Sequence, residues 1–520
     1  MALYSANRTR RSLIDTIALR ALSQIATMLG YIVFVRGMPK ADFGLFNLLY
    51  SFIPVLGTIA SFGLEQVLRR YQPEYLRLGN VSGAVSLVRF IASARFALNI
   101  IFIGVLLLTW NLLAPIFHLG PYRLQFAWFS LIVILYFQVQ ILALSLASHM
   151  LHRFSVGAIA LLSIARLMGY LVMLHYAAFS LNHAIVVDTA AYAIVYIFMR
   201  TIYLRRCAPA HDAPAYKIPA EERKRMFRYG LFNNFNDVGT LLLGGSTDNF
   251  FIAAFIDPIS VGIYAFYGRL NDMAMNLLPI RLFDNIIQPL FFSVTPADAD
   301  RRLKQIVTLL LDINMVWLWP VLTYSLVYHG DIVHVFFGGK YSEYSRILPL
   351  FVFFSTVNSV AVPITLAAQY DEKAGIILLS KVFVAYNLVA MIVLLPLVGL
   401  YGAILARGSA EAFKNLFIWW SVRQHARWMN FRAVIGYALL VWTPVIAICL
   451  LLKRLSVVPP VLQLFIGGLA CAIGLLIYVR TPAIANSDRL ILGSVFHGKE
   501  VRIMRRLGLI APDAAALPPA

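Results

Sequence analysis

Residues 84–112 read AVSLVRFIASARFALNIIFIGVLLLTWNL, an almost unbroken apolar run holding two arginines, Arg89 and Arg95. A helix of about 20 residues crosses a hydrocarbon core about 30 Å thick, so this stretch predicts a membrane-spanning helix. The next stretch, LQFAWFSLIVILYFQVQILALSL at residues 124–146, predicts another. The same pattern extends in both directions and gives about fourteen apolar windows. They lie at Ser12–Val35, Phe43–Val67, Ala84–Leu112, Leu124–Leu146, Phe154–Tyr176, Ala184–Leu204 and Tyr229–Phe255. The remainder lie at Ile259–Phe292 (interrupted at Pro279), Ile306–Tyr328, Ile347–Ala368, Ala374–Leu397, Tyr401–Val422, Ala433–Leu452 and Val461–Val479. Hydrophobic residues make up 60% of the chain and charged ones 13%, with mean hydropathy +0.77. A water-soluble shell cannot be built from that composition, so the expected fold is an all-α polytopic membrane protein.

The net charge of +20 does not imply nucleic acid, because Lys and Arg fall mostly in the loops between apolar runs. There they set orientation and meet the headgroups of membrane lipids. Cys207, Cys449 and Cys471 are far apart and form no CxxC pair, so neither a disulfide framework nor a metal site is expected. The first apolar run has no small-residue cleavage site after it and reads as a retained helix. No Walker, HExxH or GxSxG pattern stands in its required context, and the extracytoplasmic loops are short. The reading is therefore of a non-enzyme with no cofactor.

Lys and Arg alternate in number from loop to loop, about 28 on one side against about 7 on the other, which predicts both termini in the cytoplasm. Arg205–Arg228, with Pro209, Pro214 and Pro219, is the longest basic loop. It divides the chain into an N-terminal six-helix lobe (1–205), a linker (206–228) and a second six-helix lobe (229–427). Two further helices (428–480) and a cytoplasmic tail (481–520) follow. Weak self-similarity supports the pairing: FVRGMPKADFGLF at 34–46 and FIAAFIDPISVGIY at 251–264 both pass a Pro turn and open the next helix with Gly. Paired halves are the usual architecture of alternating-access transporters, with the substrate held between them.

Ionisable groups inside spans cost about 2.5–3.5 kcal/mol each at mid-helix, so they are expected to face protein or water. In the first span Thr16, Arg20, Ser23, Gln24, Thr27 and Tyr31 share a face, and in the seventh Asn233, Asp237, Thr240, Gly244 and Asp248 do. The eighth holds Arg269, Asp272 and Asn276, then Arg281, Asp284 and Gln288; the twelfth holds Arg407, Glu411 and Lys414. With Arg89, Arg95, Arg166 and Lys381, the cations slightly outnumber the acids. A guanidinium keeps its charge in poor solvent and grips phosphate oxygens in pairs, so a cargo bearing phosphate or pyrophosphate fits Arg20, Arg89, Arg95, Arg166, Arg269, Arg281 and Arg407. Alternatives stand beside this reading. Arg269–Asp272 and Arg281–Asp284 have the spacing of mutually neutralising pairs, and Arg89 and Arg95 have the reach to snorkel to headgroups. Gln24, Asn233, Asp237, Asp248, Asp272 and Asp284 are the remaining polar candidates, with Asp237 or Asp248 placed to bind a proton or Na⁺. Most Trp residues read as interfacial belts, leaving Tyr31, Tyr264 and Tyr267 as candidate sugar platforms.

The stretch Phe34–Tyr75, with GMPKADFGLFNLL and SFGLEQVLRRYQPEY, resembles the polysaccharide transporters of the multidrug/oligosaccharidyl-lipid/polysaccharide (MOP) flippase superfamily. STDNFFIAAFIDPISVGIYAFYGRL, FFGGKYSEYSRILPL and LVGLYGAILARGSAEAF look like the same family's later helices, and the likeness runs to about Arg427. The resemblance implies a Wzx-type flippase for undecaprenyl-pyrophosphate-linked oligosaccharide in a bacterial inner membrane. It further implies a cationic lumen, an ion gradient as one possible drive, and a polysaccharide polymerase and glycosyltransferases as working partners. A cation-coupled multidrug exporter and a lipid II flippase of the same superfamily are the competing readings.

Overall fold

The computed structural model describes residues 6–207, 216, 218–276, 278, 299–360, 363–365, 368, 374–423, 431–455, 458–484 and 489. Among these residues every regular element is helical, as a hydrocarbon solvent demands of a chain that must satisfy its own backbone hydrogen bonds. The all-α polytopic fold expected from the apolar windows is what forms. Nine helices among the described residues are long and apolar enough to cross a membrane, and one bent pair makes a tenth. The chain divides into two compact units, Met1–Ala265 and Phe266–Ala520.

The first unit opens with α1 (Ala6–Gly37) and α2 (Lys40–Ile59), joined by the turn at Pro39. The expected second window runs past the end of α2, because the backbone breaks at Phe62 (φ 48°) and Gly63 (φ 73°) before α3 (Leu64–Arg77) begins. The long helices α4 (Val81–Leu108), α5 (Arg123–Ser148), α6 (His152–His175) and α7 (Leu181–Arg206) follow. The seventh window is two helices, α8 (Ala220–Leu242) and α9 (Gly245–Phe255), bent by 51°. Finally α10 (Pro258–Met275) starts in this unit. The helix α1 packs along α6, α5 along α7, and α3 against α4, α5 and α8. Leu68, Leu87, Ile91, Leu146 and Met199 are fully buried where these helices meet. Within lipid such contacts hold by close packing, since the surrounding acyl chains are as apolar as the leucines.

Two glycines set how closely these elements approach. A Cβ on Gly44 of α2 would lie 1.9 Å from the carbonyl oxygen of Pro258, and one on Gly262 would lie 2.9 Å from the Gly44 Cα. The two self-similar turns thus meet at the glycine that each carries. At the break after α2, a Cβ on Gly63 would lie 2.0 Å from the carbonyl oxygen of Gly230 on α8, in a backbone conformation that L side chains rarely adopt.

In the second unit α11 (Ala299–Phe337) is longer at both ends than its apolar window. It is followed by α12 (Ile347–Val360), α13 (Ala374–Leu379), α14 (Val382–Val398), α15 (Leu400–Ser421), α16 (Phe431–Leu455) and α17 (Pro460–Arg480). The last two helices pack on α11 around Tyr328, Trp442, Cys449 and Tyr478, all buried. Tyr324 Oη donates to the Leu464 carbonyl at 3.0 Å, and Lys453 Nζ pairs with Asp331 while donating to the Val327 carbonyl at 3.0 Å.

Gly63→Ala is expected to destabilise the protein by about 1–3 kcal/mol through forced backbone displacement. Gly104→Ala, in the interior of α4 where an added Cβ meets nothing within 4 Å, is expected to be neutral or stabilising by up to about 1 kcal/mol. Thermal unfolding of the two variants in detergent checks the contrast.

Candidate functional site

The polar stripe of α1 divides when the helix packs. Ser23 and Thr27 turn towards α6, where the Ser23 and Ser163 hydroxyls hydrogen-bond at 3.0 Å and Thr27 Oγ1 donates to Ser163 Oγ at 2.9 Å. Arg20 and Gln24 are exposed. Tyr31 is half-buried with its ring 6.4 Å from that of Phe43.

One turn beyond Ser163 on α6 stands Arg166, the centre of the densest polar network in this unit. Its Nε donates to Asp188 Oδ1 at 3.0 Å and its Nη2 to Asp188 Oδ2 at 2.8 Å, a two-point ion pair between α6 and α7. Nη2 also donates to Tyr50 Oη on α2 at 2.6 Å, while the Tyr50 hydroxyl itself donates to Asp188 Oδ2. Tyr170 Oη donates to Asp188 Oδ1 at 3.0 Å. The guanidinium lies 5.1 Å from the Tyr192 ring centroid and 5.8 Å from that of Tyr50. Asp188 is 1% exposed, whereas the Arg166 side chain keeps 26% of its surface exposed. Each of the three helices carries its contribution roughly 10–15 Å from a helix end, deep in a membrane-spanning segment. Asp188 is an acid inside an apolar run, LNHAIVVDTAAYAIVYIF, and that alone marks it in the sequence. The three-and-four spacing rule overlooks it because its partner lies on another helix.

Arg95 has a different environment. It is fully buried, with Nε 3.2 Å from Glu65 Oε1 and Nη2 donating to the carbonyls of Leu56 and Gly57 at 3.3 and 3.2 Å. One guanidinium therefore satisfies the last-turn carbonyls of α2 and the first-turn acid of α3, bridging the backbone break between them. It also stacks over Phe137, 3.9 Å from the ring centroid. So placed, Arg95 presents no surface to a cargo or a headgroup. Arg89, on the same helix, is exposed.

The polar residues of α8 and α9 divide among several partners, with Asp237 reaching α3 and Asn249 reaching α2. Asn233 Nδ2 donates to the Tyr229 carbonyl at 2.8 Å, and Gln66 Nε2 reaches Asp237 Oδ2 at 3.4 Å. Asn249 donates to Ser51 Oγ at 2.8 Å. Asp248 is buried in the first turn of α9, where the helix dipole favours an anion, and accepts from Tyr264 Oη at 2.6 Å. Tyr264 and Tyr267 are buried, the latter donating to the Tyr341 carbonyl at 2.6 Å, so neither forms an exposed sugar platform.

In the second unit Arg269 and Asp272 are both exposed, and neither forms an ion pair among the described residues. Arg407 and Glu411 pair at 3.4 Å along α15. Arg281 and Asp284 lie outside the described residues. The described residues contain no cluster of three metal-ligating side chains.

Long apolar helices with charges held in pairs inside them define a polytopic, all-α membrane protein. A sequence model described as "Polysaccharide biosynthesis protein" matches residues 11–280, just over half of the chain, and the chain belongs to that family. Among solved structures it is similar to a lipid II flippase MurJ in an inward closed conformation, at 12% identity and TM-score 0.62, over 90% of this chain and 98% of that one. It is also similar to a multidrug resistance MATE family transporter of the MOP superfamily, in an inward-facing conformation, at 12% identity and TM-score 0.61. That match covers 80% of this chain and 98% of the other. No curated protein matches by sequence.

Arg95→Ala is expected to lower stability by about 3–5 kcal/mol, because it removes the only cation paired with Glu65 among the described residues and one donor from each of two helix-end carbonyls. Arg89→Ala is expected to stay within about 0.5 kcal/mol of the wild type. Melting temperatures in detergent separate the two.

Proposed function

We propose that this protein flips lipid-linked oligosaccharide, carried on undecaprenyl pyrophosphate, across the bacterial inner membrane by alternating access. The product would serve surface polysaccharide synthesis, as O-antigen, capsule or exopolysaccharide. The observation that carries the reading is the family membership over residues 11–280, combined with arginines standing exposed within two of the apolar windows of the sequence, Arg20 on α1 and Arg269 on α10. A guanidinium in a spanning segment is costly unless it serves an anion, and a pyrophosphate linkage is such an anion. Asp237 and Asp248 are the groups proposed to couple transport to a proton or Na⁺. Both termini are proposed to lie in the cytoplasm, with the two six-helix lobes moving against each other. A polymerase and glycosyltransferases that build and extend the glycan are the expected working partners.

The likeness to a lipid II flippase and to a multidrug transporter names the two competing cargos, and one experiment separates all three. Deletion in the native host is expected to deplete surface polysaccharide and to accumulate lipid-linked glycan on the inner leaflet. Wild-type protein is expected to restore export, whereas Arg20→Ala and Arg269→Ala are expected to restore at most about a tenth of it, the loss of one charge-assisted contact. Accumulation of lipid II would instead assign the peptidoglycan precursor. Intact polysaccharide with drug hypersensitivity would assign the exporter.

A further inference from the structure

A transporter must release what it binds, and a buried guanidinium left without an anion is strongly destabilising. The network around Arg166 meets both requirements with one device. Asp188 occupies the Nε–Nη2 edge of Arg166, the same edge that a phosphate engages at two points. It also has donors of its own, the hydroxyls of Tyr50 and Tyr170. Were Arg166 to turn to another anion, Asp188 would keep those two hydrogen bonds and neither charge would be stranded. The exposed quarter of the Arg166 side chain is the face at which such an anion would have to arrive.

We infer that Asp188 is a built-in substitute anion for the cargo's diphosphate. It holds Arg166 when no cargo is bound, yields that edge when the diphosphate arrives, and reclaims it to drive release. Asp188 is a positioning residue acting through Arg166, with Tyr50 and Tyr170 setting how readily it lets go. The inference rests on the proposed function, since it presumes a cargo bearing pyrophosphate.

Affinity is expected to respond with opposite signs to two conservative changes. Asp188→Asn keeps the shape and one hydrogen-bond acceptor but removes the competing charge, so it strengthens diphosphate binding. Tyr170→Phe removes a donor from Asp188, which then clings to Arg166 more tightly, so diphosphate binding weakens. Each shift is expected to be at least about fivefold, the low end of coupling between interacting sites. The strengthened site also releases slowly, so Asp188→Asn lowers turnover while its half-saturating concentration falls.

The test is calorimetric titration of the full-length protein in lipid nanodiscs with farnesyl pyrophosphate, and with farnesol as the uncharged control. Tighter binding by Asp188→Asn, weaker binding by Tyr170→Phe and loss of binding by Arg166→Gln support the inference. Wild-type binding of farnesyl pyrophosphate that Asp188→Asn leaves unchanged or weakens overturns it and leaves the proposed function standing. If Asp188→Asn does not fold, unchanged or tighter binding by Tyr170→Phe overturns the inference by itself. Failure of the wild type to prefer farnesyl pyrophosphate over farnesol overturns the proposed function and this inference together.

Discussion

A positive charge inside a hydrocarbon layer has to be met by partners that the protein itself supplies, and this chain meets that demand in two distinct ways. Arg95 is surrounded by the carbonyls that end α2 and the carboxylate that opens α3, and none of its surface is left exposed. Arg166 is held by one carboxylate and one phenol, yet a quarter of its side chain stays exposed. The first arrangement gives a fixed joint in the backbone. The second gives a charge that is compensated and still reachable.

The joint at Arg95 and the close approaches at Gly44 and Gly63 belong to one construction. The helix α2 ends early because the backbone turns through left-handed conformations at Phe62 and Gly63, and Arg95 donates to the Leu56 and Gly57 carbonyls of its last turn. Gly63 then lets α8 come close enough for Gln66 to reach Asp237. At the other end of α2, Gly44 admits the turn before α10, so the two self-similar stretches of sequence touch at equivalent glycines. Tyr50 lies between these two contacts, which fixes the phenol that joins Arg166 to Asp188.

Much of this was readable from residue order. The apolar windows predicted the spanning helices, and their ends erred where a polar break was short, as at residues 60–63, or where a helix continued past its apolar segment, as in α11. Pairings between helices were not readable. Spacing rules look for an acid three or four residues away. They pointed to Arg269 with Asp272, which form no ion pair among the described residues, while Arg407 and Glu411, four apart on one helix, do pair. The same rules pass over Arg166 with Asp188, and Lys453 with Asp331, because these partners are 22 and 122 positions apart and meet only when helices pack. The seventh apolar window illustrates the same limit: its polar stripe was legible, while its partners, Gln66 on α3 for Asp237 and Tyr264 on α10 for Asp248, were not.

Residue order by itself therefore determined that the chain is helical and lives in a membrane, and which side chains would be expensive there. Those properties follow from the length and hydropathy of single segments, and no neighbour is needed to evaluate them. Tertiary structure alone decided which arginine is closed off and which remains within reach, because compensation of a charge depends on where distant helices bring their oxygens.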